Sequence, residues 1–268
     1  MFTIQELVIL MMMIYKYEPA IITIIKMFIT TYTFKNKKEL QDAVDLWCRK
    51  ETLKEAENKY GHISNWDVSQ ITDMSFLFDY QRYFNDDISR WDVSNVKNMR
   101  GMFRKAGKFN KPLNDWDVSN VVDMTGMFYY VLYFNQPLNK WNVSNVKNMS
   151  GMFYNMLYFN QPLNNWDVSN VEKMSSMFLG AVSFNQSLNN WNVSNVKCMR
   201  SMFSKAIKFN KPLNDWDVLN VVNMCYMFYE AIRFNQNISN WNVSNVKDRI
   251  GMFYIVLVMK EENKPVFN

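Results

Sequence analysis

Apolar residues recur along this chain with a constant period. Eight tryptophans, from Trp66 to Trp241, lie 25 residues apart without insertion or deletion, so residues 66–268 divide into eight copies of one repeat, and the last copy decays after Phe253. A fixed period of this size is typical of supersecondary units that stack, because each unit buries its apolar face only against its neighbours. The pattern therefore predicts a solenoid of eight coils.

Within one copy, the pattern predicts a short strand and then a helical return segment. Trp116 and Val118 alternate around the polar Asp117, as in a strand with one buried face. Apolar residues then follow at steps of three and four through residues 121–134, which is typical of one face of a helix or 3₁₀ segment. Because paired strands lie about 4.8 Å apart and packed helices about 8–10 Å apart, such coils would bend into an α/β horseshoe.

Two other columns of the repeat have a predicted structural role. Asn135 ends the return segment, and an asparagine occupies the same place in seven of the coils, so these residues should stack as a ladder whose amides bond to the turn backbone. Gly126 and its equivalents, which are small in several coils, precede the second methionine of the return segment. A small side chain there should let neighbouring returns approach closely.

Residues 35–65 predict a helical cap over the first coil. Asn36 is expected to cap a first helix, and Thr52 with Glu55 forms the capping-box pattern of a second helix. Gly61 should end that second helix, since glycine is favoured just beyond a helix C-terminus. A cap is expected because the first coil would otherwise expose the end of the stacked core.

Residues 1–34 are apolar but do not match one targeting signal. Lys16, Glu18 and a proline interrupt the apolar run, which is too short on either side for a spanning helix, and no small-residue cleavage site is evident. Residues 4–8 resemble the opening of an F-box, a motif that docks onto a ubiquitin-ligase adaptor. Three alternatives stay open: a membrane anchor or atypical signal, an F-box-like motif, and an inert apolar leader.

The repeat motif carries a family resemblance. The pattern W-[DN]-V-S-N-V-x-x-M-x-x-M-F, followed by F-N-x-x-L, covers roughly residues 40–253 and resembles the BspA-like leucine-rich-repeat family, which occurs in surface proteins and lipoproteins of bacteria and mycoplasmas. The resemblance implies a leucine-rich-repeat-like horseshoe used for adhesion or protein binding. It brings no catalytic residues with it.

Composition argues against an enzyme and against a nucleic-acid partner. The net charge of +5 is spread along the chain, which fits solubility better than a nucleic-acid surface. The single histidine, His62, allows no catalytic triad and no two-histidine metal site, and the seven glycines form no phosphate loop. Calcium binding by Asp115 with Asp117, or by Asp215 with Asp217, is an alternative to a hydrated polar face, which we prefer. We expect no cofactor and no metal.

The variable positions of the return segment give the candidate binding residues. Because the coil does not dictate their chemistry, clustered aromatic and basic residues there are typical of protein interfaces; the alternative is that the tyrosines pack between coils. The candidates are Tyr129, Tyr130, Tyr133, Tyr154, Tyr158, Arg104, Lys105 and Lys108.

The predicted function is a noncatalytic solenoid for protein binding or adhesion, monomeric, and placed at the cell surface or a membrane. The alternative function is a ubiquitin-ligase substrate adaptor, in which an F-box-like N-terminus docks the ligase and the repeats bind the substrate.

Overall fold

The computed structural model describes Leu7, residues 10–12 and residues 31–267. The anchor, signal and F-box-like interpretations of residues 1–34 concern residues that lie almost entirely outside this part of the chain, so they stay predictions. Within the described residues, helix α1 spans Lys37–Trp47 and helix α2 spans Leu53–Tyr60. Short 3₁₀ helices at Ile63–Asn65 and Glu261–Asn263 flank the repeats.

The repeats form coils that stack through a regular backbone ladder. In the third coil, the N–H groups of Met124, Gly126, Phe128 and Tyr130 each donate to a carbonyl of the fourth coil, at 3.0, 2.8, 3.0 and 2.8 Å. The same four bonds recur between every pair of successive coils from the first to the eighth. All of the N–H groups in this ladder therefore point from one coil towards the next.

The α/β leucine-rich-repeat horseshoe predicted from the sequence is wrong. In residues 31–267 no strand is longer than a single bridge residue, and the bridges between coils lie at the Asp123 position rather than at Trp116 and Val118. The return segment is not helical, because alternate N–H groups bond to the next coil and the others close tight turns, such as Met127 N to Met124 O at 3.2 Å. With no helical side, the predicted spacing mismatch does not arise.

Left-handed backbone at two places per coil makes these turns possible. One is the Gly126 position, with φ of 59°, and the other is the Tyr130 position, with φ of 61°. Side chains other than glycine also occupy them, as Ser201 does with φ of 55°. The left-handed turn therefore favours glycine throughout this column. Close approach of neighbouring returns, as predicted, applies at Gly101, where an added Cβ would meet the Phe76 ring of the preceding coil at 2.6 Å, but not at Gly126, where its nearest atom, Tyr129 Cβ, would be at an ordinary 3.6 Å.

Substitutions at this turn should change stability in opposite directions. We expect Gly126→Ala to lower the free energy of unfolding by about 1–2 kcal/mol, because an L side chain is strained at positive φ. Ser201→Gly should raise it by up to about 1 kcal/mol, since it removes that strain but loosens the unfolded chain. Urea unfolding of both variants measures this. Equal effects of the two substitutions would contradict the assignment of strain to these positions.

Side chains add three further ladders along the stack. The asparagine ladder is confirmed: Asn135 Oδ1 accepts from the Asn160 N–H at 3.0 Å, and each asparagine of the column repeats this contact with the next coil. A second asparagine column, exemplified by Asn145 Nδ2, donates to the Ser119 carbonyl at 2.7 Å. Buried tryptophans also donate across coils, as Trp141 Nε1 does to the Leu113 carbonyl at 2.8 Å.

The core consists of identical side chains stacked in columns. Phe128 lies between its equivalents, with ring centroids 5.6 Å from Phe103 and 6.1 Å from Phe153. Trp141 and Trp166 stack in the same way at 6.3 Å. These rings are almost completely buried, so each coil contributes a full layer to one continuous apolar core.

The cap closes the N-terminal end of this core. The Asn36 side chain accepts from the Glu39 N–H at 3.0 Å, as predicted for an N-cap. The predicted capping box is wrong, because Thr52 Oγ1 donates to the Leu46 carbonyl at 2.7 Å and makes no cap bond. Gly61 ends α2 with φ of 74°, as expected.

The cap also includes residues just before α1. Thr33 forms a parallel bridge with Asp67, and the Phe34 N–H donates to the Asp67 carbonyl at 2.9 Å. The Phe34 side chain is fully buried. The first coil therefore holds residues that the sequence assigned to the apolar segment 1–34. From α1, Gln41 Nε2 donates to the Leu77 carbonyl of the first coil at 3.1 Å.

The two ends of the stack differ. The first coil is covered by the cap, whereas in the eighth coil Tyr254 and Leu257 are 62% and 91% exposed. Among residues 31–267, no acceptor receives the ladder N–H groups of Gly251, Phe253 or Ile255. Phe267 partly covers this end, packing against the core while the Arg249 guanidinium lies 4.4 Å from its ring.

Candidate binding surface

The five candidate tyrosines form two groups on the turn side of the third and fourth coils. Tyr129 and Tyr154 stack with ring centroids 4.3 Å apart, and Tyr130 lies 5.0 Å from Tyr129. Tyr133 and Tyr158 stack separately at 5.8 Å. The second pair is the more open, with 47% and 55% of its surface exposed.

The alternative that the tyrosines pack between coils applies to some of these rings and not to others. Tyr129 and Tyr154 are half-buried and fill the space between neighbouring coils. Burial and the neighbouring Tyr154 raise the pKa of Tyr129. Tyr130, Tyr133 and Tyr158 are exposed. The first pair thus acts largely as packing, and the exposed rings are available to a partner.

The three basic candidates in the second coil have different surroundings. Arg104 is held by Asp79, with Nε 2.8 Å from Oδ1 and a second guanidinium nitrogen on the other carboxylate oxygen. Lys105 Nζ donates to the Tyr80 hydroxyl at 2.7 Å, which lowers the pKa of Tyr80. The Lys108 ammonium lies 4.7 Å from the centre of the Tyr133 ring, a cation–π contact that joins the basic and aromatic parts.

A groove of about 430 Å³ opens between these groups, and we call it the Gly107 groove. It is lined by Arg82, Tyr83, Lys105, Gly107, Lys108, Tyr130, Leu132 and Tyr133. A second shallow depression, of about 510 Å³, lies beside Tyr129 and Tyr154 and also includes Lys105. We call the eight candidate residues, together with the Gly107 groove, the aromatic–basic surface.

Gly107 shapes the groove without being required by the backbone. It has no left-handed φ, and a Cβ added there would meet only the Arg82 carbonyl oxygen at 3.9 Å. The equivalent residues of the other coils all carry longer side chains: Arg82, Leu132, Leu157, Val182, Ile207, Ile232 and Leu257. At Gly107 the groove therefore lacks a side chain that the fold would accommodate.

The sequence analysis missed Gly107, Tyr80 and Tyr83. Tyr83 is the most exposed of these, at 87%, and lines the Gly107 groove. A signal was present, since aligning the coils shows Gly107 as the one glycine in its column. That glycine could be recognised as part of a groove only once the structure showed that this column faces solvent beside the tyrosines.

The aspartates of the Trp-x-Val motif accept hydrogen bonds from the backbone of the following turn. Asp117 Oδ1 accepts from the Ser119 N–H at 3.0 Å, and hydrogen bonds from Ser119 lower the pKa of Asp117. The Asn142 side chain accepts from the Ser144 N–H in the same way at 3.1 Å, which explains why both aspartate and asparagine occur in this column. Asp115 pairs with Lys140 at 2.7 Å.

The described residues contain neither a cluster of metal-binding side chains nor a membrane-spanning helix. No group of three or more His, Cys, Asp or Glu side chains there is placed to hold a metal ion. None of the helices in this part of the chain has the length and apolar character needed to cross a membrane.

Comparison with known proteins gives one family. A family model described as "Mycoplasma protein of unknown function, DUF285" matches residues 32–166 and again residues 147–264. The first match begins at the residues that bridge to the first coil, and the two matches together span the cap and the repeats. No curated protein matches the chain.

Proposed function

We propose, from the premise that the chain belongs to the DUF285 family, that its stack of coils binds another protein through the aromatic–basic surface. The observation that supports this is the exposed stack of Tyr133 and Tyr158, joined to Lys108 by a cation–π contact. Tyrosine and basic side chains are among those that most often anchor protein interfaces. The coil does not need these rings, because other coils carry Arg233 or Ser183 at the same position.

The resemblance of the repeat motif to BspA-like proteins supports the same proposal at a finer level. That resemblance makes adhesion to a protein partner, with the repeats exposed outside the cell, the setting in which we propose that this surface acts. The ubiquitin-ligase alternative gains no support from any described contact and stays a prediction.

The exposed pair of tyrosines provides the test. We expect Tyr133→Ser with Tyr158→Ser to abolish recovery of a partner in a pull-down, because the partner loses the exposed surface of both rings. The melting temperature should change little. Tyr129 and Tyr154 are left intact, since their half-buried rings contribute to packing. A matched control is Tyr254→Ser, which removes a tyrosine that is 62% exposed in the eighth coil.

The pull-down should be quantified against the unmodified chain, with circular dichroism and thermal unfolding of each variant. If the folded double variant recovered as much partner as the unmodified chain, the proposal would be contradicted. Equal loss with Tyr254→Ser would assign binding to exposed aromatic area in general.

A further inference from the structure

The Gly107 groove has charges of one sign only. Its charged lining residues are Arg82, Lys105 and Lys108, and no carboxylate lines it. Among residues 31–267, no Asp or Glu forms an ion pair with any of these three side chains. The hydroxyl that binds Lys105 belongs to Tyr80 and is not a carboxylate. Within the described residues, no carboxylate is therefore at ion-pair distance from the three cations of the groove.

The sixth coil shows that this is not a general property of the repeat. It repeats the lysines of the second coil as Lys205 and Lys208. There, however, Glu230 occupies the place of Tyr130 and lies 3.9 Å from Lys205 Nζ. Ile207 stands where the second coil has Gly107. A depression of about 420 Å³ lies beside Lys205, Ile207 and Glu230, so the lysine of the sixth coil shares its surface with a carboxylate. The Gly107 groove, at about 430 Å³, has no carboxylate in its lining.

We propose that the Gly107 groove binds an acidic segment of a partner polypeptide, with the partner's carboxylates on Lys105, Lys108 and Arg82. This inference rests on the proposed function and specifies the partner's chemistry. Carboxylates complement the charge, and Leu132 and Tyr133 offer apolar area to the side chains between them. A short polypeptide segment fits this opening of about 430 Å³, with its three cations and the apolar Leu132 side chain, better than a nucleic-acid strand, which follows a longer basic groove.

Two variants separate charge from shape. Lys105→Gln with Lys108→Gln removes two cations and keeps the size of the groove. Gly107→Ile fills the groove with the side chain that the sixth coil carries as Ile207, and the open space at this site means that it should fold normally. The control is Lys205→Gln with Lys208→Gln, which removes the same charge from the sixth coil.

The probe is a fluorescein-labelled synthetic peptide that alternates glutamate with leucine, measured by fluorescence anisotropy on the full chain. We expect each test variant to weaken binding about ten-fold or more, and the sixth-coil control to change it little. Affinity should fall as salt is added, because exposed charges are screened beyond roughly 8 Å at physiological ionic strength.

Three results would overturn the inference. One is equal binding of a peptide in which lysine replaces glutamate. Another is equal weakening by the control in the sixth coil. The third is tighter binding of a labelled single-stranded oligonucleotide that is lost in the same variants, which would assign the groove to nucleic acid. If the acidic peptide fails to bind while partner recovery still depends on Tyr133 and Tyr158, this inference fails and the proposed function stands.

Discussion

Met127→Asp and Phe128→Asp should each lower the free energy of unfolding by about 3–5 kcal/mol, because each places an unpaired charge in the stacked core. Both side chains are fully buried. The Phe128 ring also lies between Phe103 and Phe153, so the charge would disturb three layers. Thermal and urea unfolding of the purified variants measures the loss.

The matched control for this prediction is Val122→Asp in the same coil. Val122 is 40% exposed, so the new carboxylate stays in water and stability should change little. Near-normal melting of the Met127 and Phe128 variants would show that the core assignment is wrong. A large loss with Val122→Asp as well would show that the coil tolerates no charge.

Removing residues 1–61 should abolish cooperative unfolding and cause aggregation, because it uncovers the apolar end of the first coil. The deletion takes away Phe34, Leu40 and Trp47, all buried, and leaves Trp66 without the Trp47 ring 5.8 Å away. Each large side chain returned to water costs about 1.5–3 kcal/mol. Light scattering after size-exclusion chromatography, with thermal unfolding, measures the effect.

A chain that begins at residue 31 is the control, since it keeps every described residue of the cap, including the bridge from Thr33 to Asp67. We expect it to be monomeric and to unfold cooperatively. If the chain lacking residues 1–61 melted at the same temperature as this control, the cap would have no part in stabilising the stack.

The repeat period and the buried columns could be predicted from sequence, because a constant spacing of large apolar residues has one physical explanation. The asparagine ladder at Asn135 was predictable for the same reason. The helical return was not correctly predicted, because apolar steps of three and four also arise from successive tight turns. Nothing in the side chains of Lys105 or Tyr130 shows that their backbone is left-handed.

The candidate site was predicted in part. Choosing variable positions located the aromatic and basic side chains, and the structure brings Lys108 and Tyr133 together. The sequence could not separate the half-buried Tyr129 from the exposed Tyr133, because both occur in variable columns. It also did not show that Asp79 neutralises Arg104, since that contact joins two coils.

The backbone ladder gives the whole stack an electrical direction. Peptide dipoles of about 3.5 D that point the same way add together, as they do in a helix. In this chain the four ladder N–H groups of each coil are aligned and outnumber the backbone N–H groups that donate to the preceding coil, such as Val122 N to Lys97 O, so the carbonyl end of the ladder lies at the first coil and its N–H end at the eighth. The cap matches its end: the Gln41 amide donates to the Leu77 carbonyl, and Lys37 brings a cation to Asp73. An element that closed the eighth-coil end would have to offer hydrogen-bond acceptors, such as carbonyls or carboxylates, to the ladder N–H groups there, whereas the cap offers donors to the first coil.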